Sequence, residues 1–357
     1  MAPVKKKRSK QRSIAHTLMT EINSVYERPI MKLASDPDLE IIKIPTPSLV
    51  INRIIGGGMA LGRHVELFGD PNTGKSTIMY GTMALSQQRG NICGLVDPEG
   101  VFDADWFRHL GGFPEELLYA RPDTAEEIIG ALRIMVEKAV EGAPIEVIGI
   151  DSQSAMVTKE QVEQDPDKEE RVASQARMMS RALRLLTTRN KKVLFIWTNQ
   201  LRSNIGFGSQ FQPNVTSGGR AMSFYATTRL EFKKTGAVTQ SGKLAEKGEL
   251  KTKPVKVGDW IQIKSQKEKT SRPYQQGAYI FRTDKGRIDF ASEIIHLGLE
   301  DEIIDKKGNK WVYESVDGNE YSGDLKFWNK LLSDDEELCD ELVNAINDQT
   351  HELSKVS

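Results

Sequence analysis

The chain has 357 residues, 28% charged and 38% hydrophobic, the composition of a globular protein with one large domain or a core and a smaller companion. Its formal net charge of −1 excludes a strongly basic overall character, so any surface for nucleic acid must be local. Two cysteines, Cys93 and Cys339, make no disulfide framework and fit a reducing, cytoplasmic setting, while no apolar run nears the roughly 18 residues of a membrane span and no apolar stretch follows the basic N-terminus as in a secretory signal.

Residues 1–12 carry Lys5, Lys6, Lys7, Arg8, Lys10 and Arg12 and are expected to form a disordered basic tail, with a localisation signal or DNA-touching arm as the alternative. Ile14, Leu18, Ile22 and Val25 recur at helical spacing, which predicts a helix whose apolar face needs a core or a neighbouring subunit. Leu39 to Ile44 reads as a strand, and Ser48 to Ile55 as a short helix ended by Gly56, Gly57 and Gly58. Apolar runs at 65–68, 91–97, 145–150 and 192–199 read as buried strands. They alternate with helical patterns over about 77–89, 124–141 and 173–189. That alternation predicts an α/β fold with a mostly parallel sheet covered by helices on both faces. Tyr225 to Lys233, Trp260 to Gln266 and Ala278 to Arg282 are strand-like. Beyond Asp284 the composition turns acidic, helical and aromatic-bearing, which suggests a small C-terminal domain.

The chemistry concentrates where those strands end. Val65 to Phe68 breaks into Gly69, Asp70, Pro71, Asn72, Thr73, Gly74, Lys75 and Ser76, which fits G-x-x-x-x-G-K-[ST] at every fixed position. Thr77 then opens a helix. Strand, glycine-rich loop and helix N-terminus together present backbone N–H groups to phosphate. Lys75 suits the β- and γ-phosphates, and the Ser76 hydroxyl suits Mg²⁺. Asp151 closes an apolar strand and suits a Walker B acid on the same ion. Glu99, just beyond another strand end, is placed to orient or deprotonate an attacking water, although a loop Glu considered alone is more often solvated surface. Gln200, at a fourth strand end, suits a γ-phosphate sensor, although such an amide often only caps a turn. The segment 201–220 is rich in Gly, Ser, Asn and Gln and carries Arg202, Arg220, Ile205, Phe207 and Phe211. Composition alone suits either a mobile loop or a grip on a nucleic-acid backbone with insertion between bases.

These stretches resemble a RecA-type homologous recombinase of bacterial or phage kind. The resemblance runs from about Ser48 to Leu299, through GGGMALGRHVELFGDPNTGKST, LVDPEG, VIGIDSQSAM, QARMMSRALRLL, TNQLRSNIGFG, TSGGRAMSFYATTRLE, QKEKTSRPY and SEIIHLGL. It implies a RecA-like P-loop ATPase core at 37–284, a basic tail and oligomerisation helix at 1–36 and a small C-terminal α/β domain at 285–357. It also implies ATP and Mg²⁺ as ligands, with Lys75, Ser76 and Thr77 on phosphate and metal, Glu99 as catalytic carboxylate, and Asp103 and Trp106 at adenine. Trp106 stands where the family usually has Tyr. Val172, with Arg177, would belong to a first DNA loop, and Arg202, Ile205, Gly218, Gly219 and Arg220 to a second. Val172 and Ile205 match the residues that wedge between nucleotide triplets. Lys267 and Lys269 match cations that reach a neighbouring subunit's ATP, and Phe224 a subunit contact. The implied partners are single- and double-stranded DNA, further copies in a helical filament, and loader or single-strand-binding proteins. Three features depart from the pattern: QFQPNVTS in the second loop, a longer basic segment at 236–254 that would be an added DNA contact or a disordered hairpin, and a short tail without a long acidic extension. The readings weighed against a strand-exchanging recombinase are a ring-forming helicase with a related core and a non-catalytic mediator. Lys267 with Lys269 and the ARMMS segment argue against the first, and intact Lys75, Glu99 and Asp151 against the second.

Overall fold

A computed structural model describes residues 2–163, 172–203, 214–216, 221–246 and 249–355. The chain divides into two units, 1–42 and 43–357. In the first, helix α1 (Ala2–Ser24) takes in the basic residues expected to be disordered. Lys, Arg and Gln are good helix formers, no glycine interrupts them, and Pro3 stands in the first turn, where a missing N–H costs little. Asn23 folds the chain back beyond α1. Its Oδ1 accepts the N–H groups of Ile30 and Met31 and its Nδ2 donates to the Met31 carbonyl, each at 2.9 Å. The strand expected over 39–44 is mostly absent. Pro37–Leu39 is a 3-10 turn capped by Asp36, and Leu39, Ile41 and Ile42 are exposed.

In the second unit only Lys43–Ile44 (β1) remains extended, antiparallel to Met59–Ala60 (β2). Between them α2 (Leu49–Ile54) starts at Ser48, whose Oγ accepts the Ile51 N–H. The core then alternates β3 (His64–Gly69), α3 (Lys75–Gln88), β4 (Ile92–Val96), α4 (Ala104–His109), β5 (Leu117–Ala120), α5 (Ala125–Glu141) and β6 (Ile145–Ile150). α6 (Lys159–Glu163), α7 (Val172–Arg189), β7 (Leu194–Ser203), β8 (Asn214–Thr216) and α8 (Ala221–Tyr225) follow. The parallel strands are nearly continuous apolar runs because helices cover both faces. Every residue of β3 is buried. α5 is fixed at its start by a reciprocal capping box between Thr124 and Glu127.

Two long strands, β9 (Thr228–Glu246) and β10 (Glu249–Lys267), then run out and back as an antiparallel ribbon. The described parts of the 236–254 segment therefore extend a hairpin. β11 (Gln276–Arg282) and β12 (Arg287–Ile288) complete the sheet, in the order β12-β11-β10-β9-β3-β7-β6-β4-β5 with β8 on β7. Pairing is parallel from β9 through β3 to β5 and antiparallel from β9 to β12. β3, which delivers the glycine-rich loop, thus lies beside the junction of the two halves.

The C-terminal part holds α9 (Phe290–Glu300), a small sheet of β13 (Asp305–Lys307), β14 (Lys310–Glu314) and β15 (Glu320–Gly323), α10 (Leu325–Asp334) and α11 (Glu336–Lys355). Its core, centred on fully buried Trp328, includes Leu49 and Val50 of α2. Glu293 of α9 accepts the Ser48 hydroxyl and the Leu49 N–H at the start of α2, and burial pushes its carboxyl up to about 7. At the other end of α2, Arg53 meets Asp301 with both terminal guanidinium nitrogens and donates Nε to Thr350 Oγ1 at 2.7 Å.

Candidate nucleotide site and nucleic-acid interface

The glycine-rich loop is built from its backbone outward. At Gly69, φ is 135° and an added Cβ would stand 2.0 Å from the Phe232 carbonyl oxygen, so no side chain fits where β3 passes β9. Asp70 N–H donates to that same carbonyl at 3.0 Å, and Asp70 Oδ2 accepts the Lys234 N–H at 3.0 Å. Gly74 starts α3 in the left-handed region at φ 84°. The Tyr279 hydroxyl, from β11, donates to the Thr73 carbonyl at 2.8 Å, and Thr73 Oγ1 donates to the Asp70 carbonyl at 2.9 Å. Buried Lys75 turns its ammonium onto the carbonyls of Asp70 at 2.5 Å and Gly69 at 3.3 Å. Burial pulls its pKa down to about 8 against the opposing charges of Asp151 and Asp70. Above the loop lies a cleft of about 590 Å³, lined by residues 72–77 and, from other elements, by Trp106, Lys234, Lys256, Asp259, Phe281 and Thr283.

Two carboxylates stand at neighbouring strand ends. Asp151 is buried and held on both oxygens, by Thr198 Oγ1 at 2.6 Å and the Tyr80 hydroxyl at 3.3 Å. Glu99 Oε1 accepts the hydroxyl of Ser152, next in sequence to Asp151. The Ser154 and Ser152 oxygens lie 2.5 Å apart, and with the Ser152 proton committed to Glu99, Ser154 is the donor to it. The loop carrying Glu99 is shaped by Asp97, a residue the sequence reading passed over. Its fully buried carboxylate accepts the N–H groups of Gly100 at 2.7 Å and Phe102 at 2.9 Å and the Tyr119 hydroxyl at 3.2 Å. Gln200 is in register with Gly69 across the β3–β7 pair, and its N–H donates to Asn199 Oδ1 at 2.9 Å. Asn199 Nδ2 in turn donates to Glu66 at 2.9 Å, and Glu66 takes Arg229 on its other oxygen. Of the residues expected at adenine, Trp106 lines the cleft with its ring edge-on to Tyr80 at 5.5 Å. Asp103 caps α4, accepting the N–H groups of Asp105 at 2.8 Å and Trp106 at 3.0 Å.

A family model described as the RecA N-terminal domain matches residues 12–286. Among curated proteins, Protein RecA of Rickettsia prowazekii (strain Madrid E) is 31% identical over 353 residues, covering 98% of this chain and 97% of the relative. Protein RecA of Rickettsia bellii (strain OSU 85-389) and of Rickettsia canadensis (strain McKiel) are each 30% identical over 353 residues, covering 98% of this chain and 96% of each relative. The chain belongs to the RecA family.

ATP is the nucleotide that RecA-family proteins use, and the α/β core with its large central sheet is the family's fold. In this RecA-family chain the residues matched to DNA loops are described only in part. Ile205, Gly218, Gly219 and Arg220 lie outside the described residues. Val172 begins α7 and Arg202 lies in β7, where it is paired with Val215 of β8, and only their backbones are described. The described parts of the 201–220 segment, 201–203 and 214–216, are thus a pair of antiparallel strands. Arg177 lines a groove of about 870 Å³ between α7 and α8, together with Ser180, Arg181, Arg184, Phe224 and Tyr225. Spacing of three and four residues puts the three arginines on one face of α7. Phe224, matched to a subunit contact, is 70% exposed. Lys267 donates to the carbonyls of Ser223 at 2.6 Å and Phe224 at 3.0 Å, closing the end of α8. Burial and the charge of Lys269 lower its pKa to about 8. Lys269 is exposed, and neither lysine lines the cleft of its own chain.

No helix among the described residues is long and apolar enough to cross a membrane. The residues that sequence reasoning missed are mostly partners across the sheet: Asp97, Thr198, Tyr80, Glu66 and Arg229, and the cleft residues Lys234, Lys256 and Asp259. Thr198 and Glu66 carried a signal, each as a polar residue inside an otherwise apolar strand.

Proposed function

We propose that the protein is an ATP-dependent recombinase that assembles as a filament on single-stranded DNA, pairs it with homologous duplex and exchanges strands. The observation that carries the reading is the convergence of Lys75, Asp151, Glu99 and Gln200 at adjacent strand ends of a RecA-family core. In this reading the loop N–H groups and the Lys75 ammonium hold the β- and γ-phosphates and neutralise charge as the terminal phosphoryl leaves. Glu99, steered by the Ser154–Ser152 pair, orients the attacking water and takes up its proton. Gln200 reports the γ-phosphate to the segment after β7, so that ATP favours a DNA-gripping filament and hydrolysis favours release. Lys267 and Lys269 approach the nucleotide of the next subunit. Loader and single-strand-binding proteins would act before or alongside assembly.

The residues present fit Mg²⁺. Ser76 lines the cleft and Asp151 offers a hard carboxylate. Among the described residues no group of three or more His, Cys, Asp or Glu forms a closed metal cage. This suits an ion held by one or two protein oxygens together with phosphate. When bound, it supplies charge neutralisation on the phosphates. The α7–α8 groove supports the DNA half of the reading, three arginines beside an exposed aromatic ring being suited to a phosphate backbone with stacked bases.

The deciding experiment is joint-molecule formation between homologous single-stranded and duplex DNA, with and without ATP, with the same mixture imaged. ATP-dependent joint molecules on helical filaments support the reading. Closed rings that unwind a fork without a homologous strand would replace it with the helicase, and DNA binding without ATP turnover would replace it with the mediator.

A further inference from the structure

The cleft is basic on two sides, and the second side comes from the β9–β10 ribbon. Lys234 and Lys256 line it together with residues 72–77, and Asp259, also in the lining, pairs with both. The Asp259 side chain is 3% exposed, with Lys256 Nζ 2.7 Å from Oδ1 and Lys234 Nζ 3.3 Å from Oδ2. One carboxylate shared by two ammonium groups leaves a surplus positive charge, and each ammonium has three donors of which Asp259 engages only part. The lysine side chains are 34% and 50% exposed, so their remaining donors are open to a ligand.

The backbone is irregular at this point. The β9–β10 register shifts between Lys256 and Gly258 and again between Trp260 and Ile261, on either side of Asp259. At Gly258 a Cβ would come 2.5 Å from the Phe281 carbonyl oxygen, so the strand passes too close to β11 for a side chain. Bulges of this kind re-aim side chains and recur beside binding sites. The bond from Lys234 N–H to Asp70 Oδ2 ties the same stretch to the phosphate loop.

We propose that Lys234 and Lys256, mounted on Asp259, form a second cationic clamp for the polyphosphate of a nucleotide bound in the same subunit. The inference rests on the reading of this cleft as the ATP site and adds residues to it. Lys75 brings one charge to a ligand that carries three or more, and the two lysines face it from the other wall. The ligand class is a nucleoside triphosphate, favoured over the diphosphate and, more strongly, over the monophosphate, because affinity grows with the anionic charge that reaches the second wall. Trp106, Phe281 and Thr283, which also line the cleft, remain for the base.

The test is a titration of the full chain, without DNA, with ribose-labelled fluorescent ATP, ADP and AMP. For the variant Lys234→Ala/Lys256→Ala, ATP affinity should fall by about tenfold or more, ADP by less and AMP by under about twofold, as expected when charge-assisted hydrogen bonds to phosphate are removed. Arginine at both positions should keep ATP affinity. A loss below about twofold for ATP, or an equal loss for AMP, would overturn the proposal, as would unchanged ATP affinity with weakened DNA binding. Melting without nucleotide checks the fold. If the double variant melts early, Lys256→Gln alone carries the test, with the same ATP-against-AMP criterion. If the unaltered chain binds ATP no better than AMP, the ATP reading of the cleft fails first, and the result is distinguishable from failure of the lysine clamp.

Discussion

The cleft above the glycine-rich loop and the groove between α7 and α8 both suit anions, but they are made of different material. The cleft is floored by backbone. Its Gly69, Asp70 and Thr73 carbonyls accept Lys75 or the β11 hydroxyl, its Asp70 N–H is bonded to β9, and Asp151 and Glu99 at the neighbouring strand ends are held by hydroxyls. The groove is walled by exposed side chains, three arginines and an aromatic ring that is 70% in solvent. A floor of fixed dipoles selects one ligand geometry and loses little order on binding, as chemistry at a phosphorus atom requires. Long arginines on a helix face tolerate varied backbone positions, as a sequence-blind grip on DNA requires, and make affinity depend on salt. Substitutions should therefore act sharply in the cleft and in graded steps along the groove.

The sharpest break is expected at Lys75→Ala. Phosphate release with long single-stranded DNA present should fall by at least about 10³-fold, while nucleotide-free DNA binding changes little. Equal damage to both would show that cleft and groove are not separable. Next, Glu99→Gln should lower turnover by about 10²–10³-fold and leave ATP affinity within about threefold, measured by single-turnover kinetics beside equilibrium binding. Loss of ATP binding would assign Glu99 to holding the ligand instead.

The pH response should also divide the two regions. Lys75 is charged below its pKa of about 8 and loses the charge above it. ATP affinity should therefore be flat up to about pH 8 and then fall by up to tenfold per unit. DNA affinity at the groove should stay level over the same range, because arginines do not titrate there. The smallest effect is expected from Arg184→Ala. It should weaken single-strand binding severalfold, equally for all sequences, and lower the slope of log affinity against log salt by about 0.7. An unchanged slope would remove Arg184 from the phosphate contacts.

Much of the cleft was legible because its parts announce themselves locally. Gly69 and Gly74 carry the loop geometry in their spacing, and Asp151 and Gln200 are polar residues at the end of apolar runs. The pairings that hold them were not legible. Thr198 supports Asp151 from 47 positions away and Arg229 reaches Glu66 from 163 positions away, which no local pattern encodes. The same limit applies to Lys234 and Lys256, which read as ordinary charges on a strand until bulges turn them to the cleft. Leu39 to Ile44 failed for the opposite reason. The residues are apolar enough for a strand, but a strand needs a partner, and only Lys43 and Ile44 have one in β2. The basic start of the chain is helical and not a disordered tail, because the helix propensity of its Lys, Arg and Gln outweighs the repulsion of their charges.

The ribbon gives the phosphate loop a long arm. β9 touches the loop at Phe232, against Gly69, and continues without a break to Glu246, on the order of 45 Å away at roughly 3.3 Å per residue. Beyond the Thr239–Lys256 pair the described pairing of β9 and β10 is with each other alone, so the outer part is a free-standing beam rooted in the sheet. A tilt of about 5° at the root would carry the tip about 4 Å, since displacement scales with that strand length. The far end of the ribbon would then act as a pointer whose reading is set at Gly69, and a label placed there should register nucleotide exchange at a distance that no side-chain contact spans.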